Sequence, residues 1–480
     1  MRSPRSDTPT VSPPLLPLTM IPASRPSLPT TTLSLSLAML VGLSAALAQS
    51  APPQGAPGAR WFKGNLHTHS LWSDGDDYPE MIADWYKRQG YHFLALSDHN
   101  VLQEGQRWME LQAAVSIGGN VNLRGGGVVL DAYLRRFGPD WVEFREANGL
   151  RSVRLKPLAE YRSLLEEPGR FLLIPAEEVT ANWKLPKTAT SPERSGPVHI
   201  NVTNPREFIK PVENERASVI MQRTLDAVRD QREKTGQAMV AHINHPNFRW
   251  GITPEELMEL KGELFFEVYN GHPGVENQGD SAHLSMDALW DAVLTRRIAE
   301  LQLEPMFGIA VDDSHAYHTM ELGKSNPGRG WIMVRAHHLT AESIVHAMEA
   351  GNFYATSGVV LTDVTRDGNQ LSFTIQAEPG VTYRTQFIGT RKGYPTGSEE
   401  LAPPPGTDAP LRSHPHRSYP AEIGAVLAEV AGTQANYRLR GDELYVRAKI
   451  ISSKPKNNGS VAGEWETAWT QPLLNPGTRR

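Results

Sequence analysis

Short apolar runs that each stop at a histidine or a carboxylate constrain this chain more than any other feature. The first leads into Leu66-His67-Thr68-His69, and the run at 91–97 ends at Asp98-His99. Residues 171–175 lead to Glu177-Glu178, and Pro197-Val198 leads to His199. The runs at 238–243, 264–269 and 306–311 end at Asn244-His245, at Asn270-Gly271-His272 and at Asp312-Asp313-Ser314-His315. Runs of this length suit strands buried on both faces of a parallel sheet, and barrels gather their reactive groups at the C-terminal ends of such strands. One such ending has a bland explanation; a series of them is an architecture.

Helical patterns lie between several of the runs. Asp77 supplies a cap, Pro79 a first-turn proline and Glu80 the acidic third position, before the apolar stripe Met81, Ile82, Trp85 and Tyr86 and a stop at Gly90. Further helices are predicted at 216–234, 283–302 and 340–351. The alternation breaks at 103–170, where Gly125-Gly126-Gly127 and charged segments show no clean period. This stretch reads as an insertion covering one side of the site. From Phe353 onward, short alternating segments at 371–376, 382–387 and 443–451 sit between Pro/Gly-rich turns, which predicts a small antiparallel, sandwich-like β domain over 356–475. The main domain is then an α/β barrel over 60–355, a size that 480 residues accommodate.

The N-terminus reads as a separate element. Residues 1–30 are rich in Pro, Ser and Thr, an apolar run follows from Leu33, and Ala46-Leu47-Ala48 forms a small-x-small cleavage pattern. The expectation is a signal peptide over 1–48, with Met20 as an alternative start, and a flexible linker over 49–59. The mature chain would be exported, periplasmic or secreted, with no transmembrane span. A net charge of -5 without basic blocks gives no nucleic-acid footprint. The oligomeric state is not encoded legibly.

The chain contains no cysteine, so any metal must be held by histidine and carboxylate. His67 and His69 share one face of an extended strand, as do Asp313 and His315. With Asp74, His99, Glu178, His199 and His245 they make nine candidate ligands, too many for one ion and suited to two or three divalent cations. Zinc, manganese and iron all accept such ligands. Asp98 is expected to orient a ligand histidine, His272 to contact substrate and Arg329 to grip a substrate phosphate. His92 and His242 read as plain strand histidines, Asp312 as a neighbour of a ligand, and His318, His337, His338, His346, His414 and His416 as surface residues.

These motifs, in this order, resemble the PHP (polymerase and histidinol phosphatase) superfamily of metal-dependent phosphoesterases. The matching stretches are His67-Thr68-His69 with Ser73-Asp74-Gly75, Ser97-Asp98-His99, Glu178-Val179-Thr180, His199, Asn244-His245-Pro246 and Asp313-Ser314-His315. Trp85-Tyr86-Lys87, Glu267-Val268-Tyr269-Asn270-Gly271 and the trailing β domain further resemble the exported CehA/McbA-type metallohydrolase branch. The resemblance implies a distorted (β/α)7 TIM-like barrel. It also implies that His67, His69, Glu178 and Asp313 surround one metal, that Glu178 bridges to a second held by His199 and His245, and that Asp74, His99 and His315 hold a third. Ala176 replaces the usual glycine and opens the choice between Glu177 and Glu178; Val179-Thr180 favours Glu178. The implied activity is hydrolysis of a small-molecule phosphomonoester or phosphodiester by a metal-bridging hydroxide. The same cluster would also serve a carbon ester, carbamate or lactone. A non-enzymatic secreted binding protein would be expected to have lost ligands, and none is missing.

Overall fold

The structure is a computed structural model. It describes residues 58–478 apart from 112–114, 118–119, 123–126, 128, 189–192, 263–264 and 402–416. The expected signal peptide, most of the linker, His414 and His416 lie outside the described residues.

Strand β1 (Arg60–Asn65) leads through α1 (Pro79–Arg88) to β2 (Phe93–Leu96), which pairs with it in parallel. All four β2 side chains are buried, as a strand covered on both faces requires. Helix α1 starts one residue later than the capping pattern predicts: Tyr78 occupies the cap, and the Asp77 carboxylate accepts the Tyr78 N–H at 2.8 Å. The described residues between β2 and the next sheet strand hold more regular structure than the irregular sequence suggests. It contains α2 (Leu130–Phe137), α3 (Leu158–Leu165) and an antiparallel sheet of Arg107–Glu110, Leu150–Leu155 and Phe144–Ala147.

Next come β3 (Leu172–Leu185), β4 (Arg194–Thr203), α4 (Ala217–Thr235), β5 (Val240–Ile243), the single-turn α5 (Pro254–Met258) and β6 (Phe265–Asn270). Helix α6 (Met286–Arg296), β7 (Phe307–Val311), β8 (Trp331–Ala336), α7 (Ala341–Glu349) and β9 (Phe353–Thr356) follow. The pairs β2/β3, β5/β6 and β6/β7 are parallel, but β4 is antiparallel to both β3 and β5. The connection over 186–193 is too short for the crossover that a parallel pair needs. This departs from the (β/α)7 alternation that the resemblance implies: β3 and β4 form a long hairpin, and His199 lies mid-strand opposite Thr180 rather than at a strand end.

The two ends of the run β7-β6-β5-β4-β3-β2-β1 meet beyond their C-termini. Thr68 bridges Ser314, His69 donates its N–H to the Ser314 carbonyl at 2.9 Å, and Asp313 donates to the His67 carbonyl at 3.0 Å. Strand β8 pairs with the other side of β1, and the sheet continues without a break through β9. The C-terminal strands are β10 (Leu361–Asp367), β11 (Gln370–Ile375), β12 (Tyr383–Arg391), β13 (Ala425–Ala431), β14 (Gln434–Arg438), β15 (Glu443–Pro455) and β16 (Trp465–Thr470). Strands β16, β15, β12 and β13 extend the central sheet, while β10, β11 and β14 form their own. The fold is mixed α/β around one large sheet. Among the described residues, no helix is long and apolar enough to cross a membrane.

Adjacent carboxylates on β3 separate by face. Glu178 turns toward the strand-end histidines; Glu177 turns the other way and accepts one hydrogen bond, from Ile209 N–H at 2.7 Å. Burial pushes the Glu177 carboxyl up to about 8, and the Ile209 bond opposes this only in part. Above the ordinary glutamate pKa of 4.5 the unfolded chain releases this proton while the folded chain keeps it, so stability is lost as pH rises from there through 8. E177Q removes that penalty. It is expected to unfold like the wild type below pH 4.5 and to gain about 2–5 kcal/mol by pH 8, read from denaturant unfolding at the two pH values.

Candidate metal centre

His67 and His69 follow β1, where Asn65 Oδ1 accepts the His67 N–H at 2.9 Å and starts the turn out of the strand. His67 Nε2 lies 3.1 Å from His69 Nε2, 3.2 Å from Asp313 Oδ1 and 3.4 Å from Glu178 Oε2. His69 Nε2 lies 3.3 Å from each of the same two carboxylate oxygens. Donors held at ~2.0–2.1 Å around a tetrahedral cation stand about 3.3 Å apart. Four side chains, three from the ends of β1 and β7 and Glu178 from the middle of β3, therefore leave a gap of the right size for one ion.

Glu178 turns its other oxygen to a second group. Oε1 is 3.0 Å from His199 Nδ1 and 3.7 Å from His245 Nε2, and it accepts a hydrogen bond from Asn244 Nδ2 at 2.8 Å. Glu178 Oε2 and His199 Nδ1 are buried and have no hydrogen-bond partner. Buried polar atoms are normally satisfied, and these two lie among groups that could hold metal ions. Burial alone would raise the Glu178 pKa, but His99, His67 and His199 outweigh it and hold the carboxyl far below the usual range. Asp313 is depressed in the same way, chiefly by His67 and His69 against burial.

A third group forms around Asp74. Its Oδ1 is 3.3 Å from His315 Nε2 and 3.6 Å from both His99 Nε2 and His69 Nδ1. His69 thus presents one ring nitrogen to each of two groups. The Asp74 loop packs against the backbone of His69 so closely that a Cβ on Gly75 would lie 2.3 Å from the His69 carbonyl oxygen. This is the physical reason for glycine in Ser73-Asp74-Gly75. All nine sequence-predicted ligands thus fall into one set of overlapping groups that could hold metal ions. Two of them, His245 and Asp313, sit at positive φ (24° and 49°), strain that persists where surrounding contacts enforce it.

No family model matches this chain, and no curated protein matches it. One similar solved structure is a two-domain protein containing a predicted PHP-like metal-dependent phosphoesterase from Bacteroides vulgatus. It is 14% identical over 88% of this chain and 98% of that chain, with a TM-score of 0.32. A likeness that loose carries no weight, so the functional reading rests on the site's own geometry.

The three residues expected to act beyond the metals are placed differently from one another. Asp98 touches no histidine: it accepts from Ser70 N–H and Oγ at 2.8 Å, Ser73 Oγ at 2.6 Å and Gln103 Nε2 at 2.7 Å. It clamps the loop after His69 and reaches that ring only through Ser73 Oγ, 3.4 Å from His69 Nδ1. Arg329 is a plain correction. Its guanidinium donates to the backbone carbonyls of Asn458, Gly271, Lys324 and Glu321 and to Asn326 Oδ1, so no donor is left for a phosphate. A Gly/Pro-rich loop with an arginine looks the same in sequence whether the fork grips a ligand or the loop itself. His272 does face the cluster, 5.6 Å from the His315 ring. Its Nδ1 accepts the Gly274 N–H at 2.9 Å, which puts the imidazole proton on Nε2. Burial, with His315, pushes its pKa down to about 4 despite Asp313, so the ring is a neutral donor at physiological pH.

Glu267 is the residue that sequence reading passed over, noting it only as part of Glu267-Val268-Tyr269-Asn270-Gly271. Its Oε1 accepts from His67 Nδ1 at 2.7 Å, leaving Nε2 free for a cation. Its Oε2 accepts from His245 N–H and Asn270 Nδ2. Asn270 in turn donates to Asp313 Oδ2 and accepts the His272 N–H, so one carboxylate ties four site residues together. His242, which reads as a plain strand histidine, lies behind this carboxylate, with Nε2 3.3 Å from Glu267 Oε1. E267Q is expected to weaken metal binding about 10- to 100-fold in a calorimetric titration while the chain stays folded.

Proposed function

We propose that this protein is a metal-dependent hydrolase of small-molecule phosphoesters, of the PHP type. His67, His69, Asp313 and Glu178 would hold one divalent cation. Glu178, His199 and His245 would hold a second, and Asp74, His99 and His315 a third. Zinc, manganese and iron all suit these ligands. The observation that carries the reading is the four-donor gap, with all spacings given between 3.1 and 3.4 Å, beside the two buried atoms that lack partners. Bound cations would supply a water activated near neutral pH and neutralise charge on the ester oxygens.

The chain's own groups would do the rest. Glu267 fixes the tautomer of His67, Asn244 steadies Glu178, and the Asp98 clamp keeps His69 and Asp74 in register. His272 Nε2–H is placed to donate to a substrate oxygen beside the cluster. The run of seven strands from β1 to β7, whose ends meet at the Thr68–Ser314 bridge, supports the distorted (β/α)7 reading, with 60–355 as the catalytic domain and 356–475 as a β domain joined to it edge to edge. The small-x-small pattern at 46–48 supports export.

One observation favours a second reading. With Arg329 spent on backbone carbonyls, the site loses the phosphate fork assigned to it, and a carbonyl electrophile (carbon ester, carbamate or lactone) gains. A panel of aryl phosphate mono- and diesters against aryl esters and carbamates, with added manganese or zinc, separates the two. Phosphoester turnover that a chelator abolishes is expected; turnover of carbonyl substrates alone would overturn the proposal.

A further inference from the structure

The segment after β5 is built more rigidly than a connecting loop requires. Within seven residues, His245, Arg249 and Trp250 all have positive φ, at 24°, 48° and 54°. Each such non-glycine residue costs roughly 1–2 kcal/mol, so neighbouring contacts must enforce the shape. Asn247 Nδ2 donates to the carbonyls of Glu276 and Leu284, both at 2.9 Å, and Phe248 bridges to Val275. The Trp250 ring stacks on His283 at 3.7 Å and 4°.

These anchors hold Phe248 beside the candidate metal centre, with Arg249 next to it. Phe248, half-buried, lies edge-to-face against His245 (5.1 Å) and His272 (5.8 Å), with His199 at 6.2 Å. Arg249 is exposed, and its guanidinium sits 5.3 Å from the Phe248 ring centroid. Among the described residues this guanidinium has no hydrogen-bond or ion-pair partner. Arg329 differs on both counts: it is buried and fully engaged.

We propose that Phe248 and Arg249 form the substrate-recognition subsite, with Arg249 taking the anionic group of the ester and Phe248 a flat apolar one. Resting on the phosphoester reading above, this makes the preferred substrates anionic aryl or similarly flat esters, with the guanidinium on the phosphoryl oxygens. A planar fork suits two such oxygens, and a ring face suits an aromatic leaving group. The strained turn is the means by which the fold keeps the fork next to the Phe248 ring.

The test is calorimetric binding of phenylphosphonate, which carries anion and ring but is not hydrolysed, alongside inorganic phosphate, to manganese-loaded wild type, R249Q, R249K and F248A. R249Q is expected to weaken both ligands about 10- to 100-fold with unchanged metal content, and R249K to recover part of the loss. F248A should weaken phenylphosphonate and spare inorganic phosphate. Wild-type affinity for phenylphosphonate in R249Q, or no binding by the wild type, overturns the proposal. A wild type that binds phenylphosphonate in an Arg249-dependent way, yet turns over only carbonyl esters, retains the subsite and defeats the phosphoester reading instead.

Discussion

Replacing Glu178 with glutamine is expected to abolish turnover and to remove at least one cation per chain. Glu178 presents its two oxygens to different groups, Oε2 toward His67, His69 and His99 and Oε1 toward His199 and His245. Glutamine keeps the volume and the acceptor that Asn244 needs, but it loses the charge and puts an amide where an acceptor faced the histidines. Losing a direct ligand should cost more than the 10- to 100-fold typical of outer partners, so affinity at the site is expected to fall at least about a hundred-fold. The metal-free variant should still fold but less stably than the wild type, because the histidines that hold the Glu178 carboxyl far below the usual range lose their counter-charge. Elemental analysis and far-UV circular dichroism of E178Q check both halves; a variant with full metal content would show that Glu178 is not the bridge.

The second large effect concerns stability. Arg447 on β15 is fully buried, with Nε 2.8 Å and Nη2 2.6 Å from the two carboxylate oxygens of Asp291 on α6. Tyr445 OH donates to the same carboxylate, and Asp287 adds contacts to Arg447 and Lys449. This network pins the C-terminal strands to the helix between β6 and β7, the two strands that carry Glu267 and lead into Asp313. D291A removes the two-pronged partner of a buried guanidinium and leaves it Asp287, and breaking such a pair from one side costs up to about 3–5 kcal/mol. Denaturant unfolding should show that loss, and R447M in the D291A background should recover much of it by removing the under-compensated charge. Equal stability of D291A and wild type would mean that water reaches Arg447 freely.

The strand ends were legible because burial on both faces leaves an unbroken apolar run, and a polar residue closing that run has to point into the cluster. This is how the stretches now containing β2, β5, β6 and β7, and the residues that follow them, could be found from composition alone. The same logic misplaced β4: His199 sits in mid-strand, because direction depends on the length of the connection and not on the apolar pattern. Glu267 was illegible for a related reason. It lies inside the apolar run of β6, where a bulge between Glu267 and Tyr269 shifts the register and an inward carboxylate looks like an interruption. Arg329 was misleading in the opposite sense, since its residue type suggests a ligand contact while its donors are consumed by backbone carbonyls and Asn326; Asp98, expected to orient a ligand histidine, reaches His69 only through Ser73. The insertion hid its strands because half-exposed, charged β-segments carry little periodic signal.

The most direct test of the account is the metal content of protein purified without chelator. Two or three divalent cations per chain are expected, falling to none in the H67A/H69A double variant if loss of the first site dismantles its neighbours through His69 and Glu178. A wild-type protein that carries no stoichiometric divalent ion, and takes up none from added manganese or zinc, would contradict it.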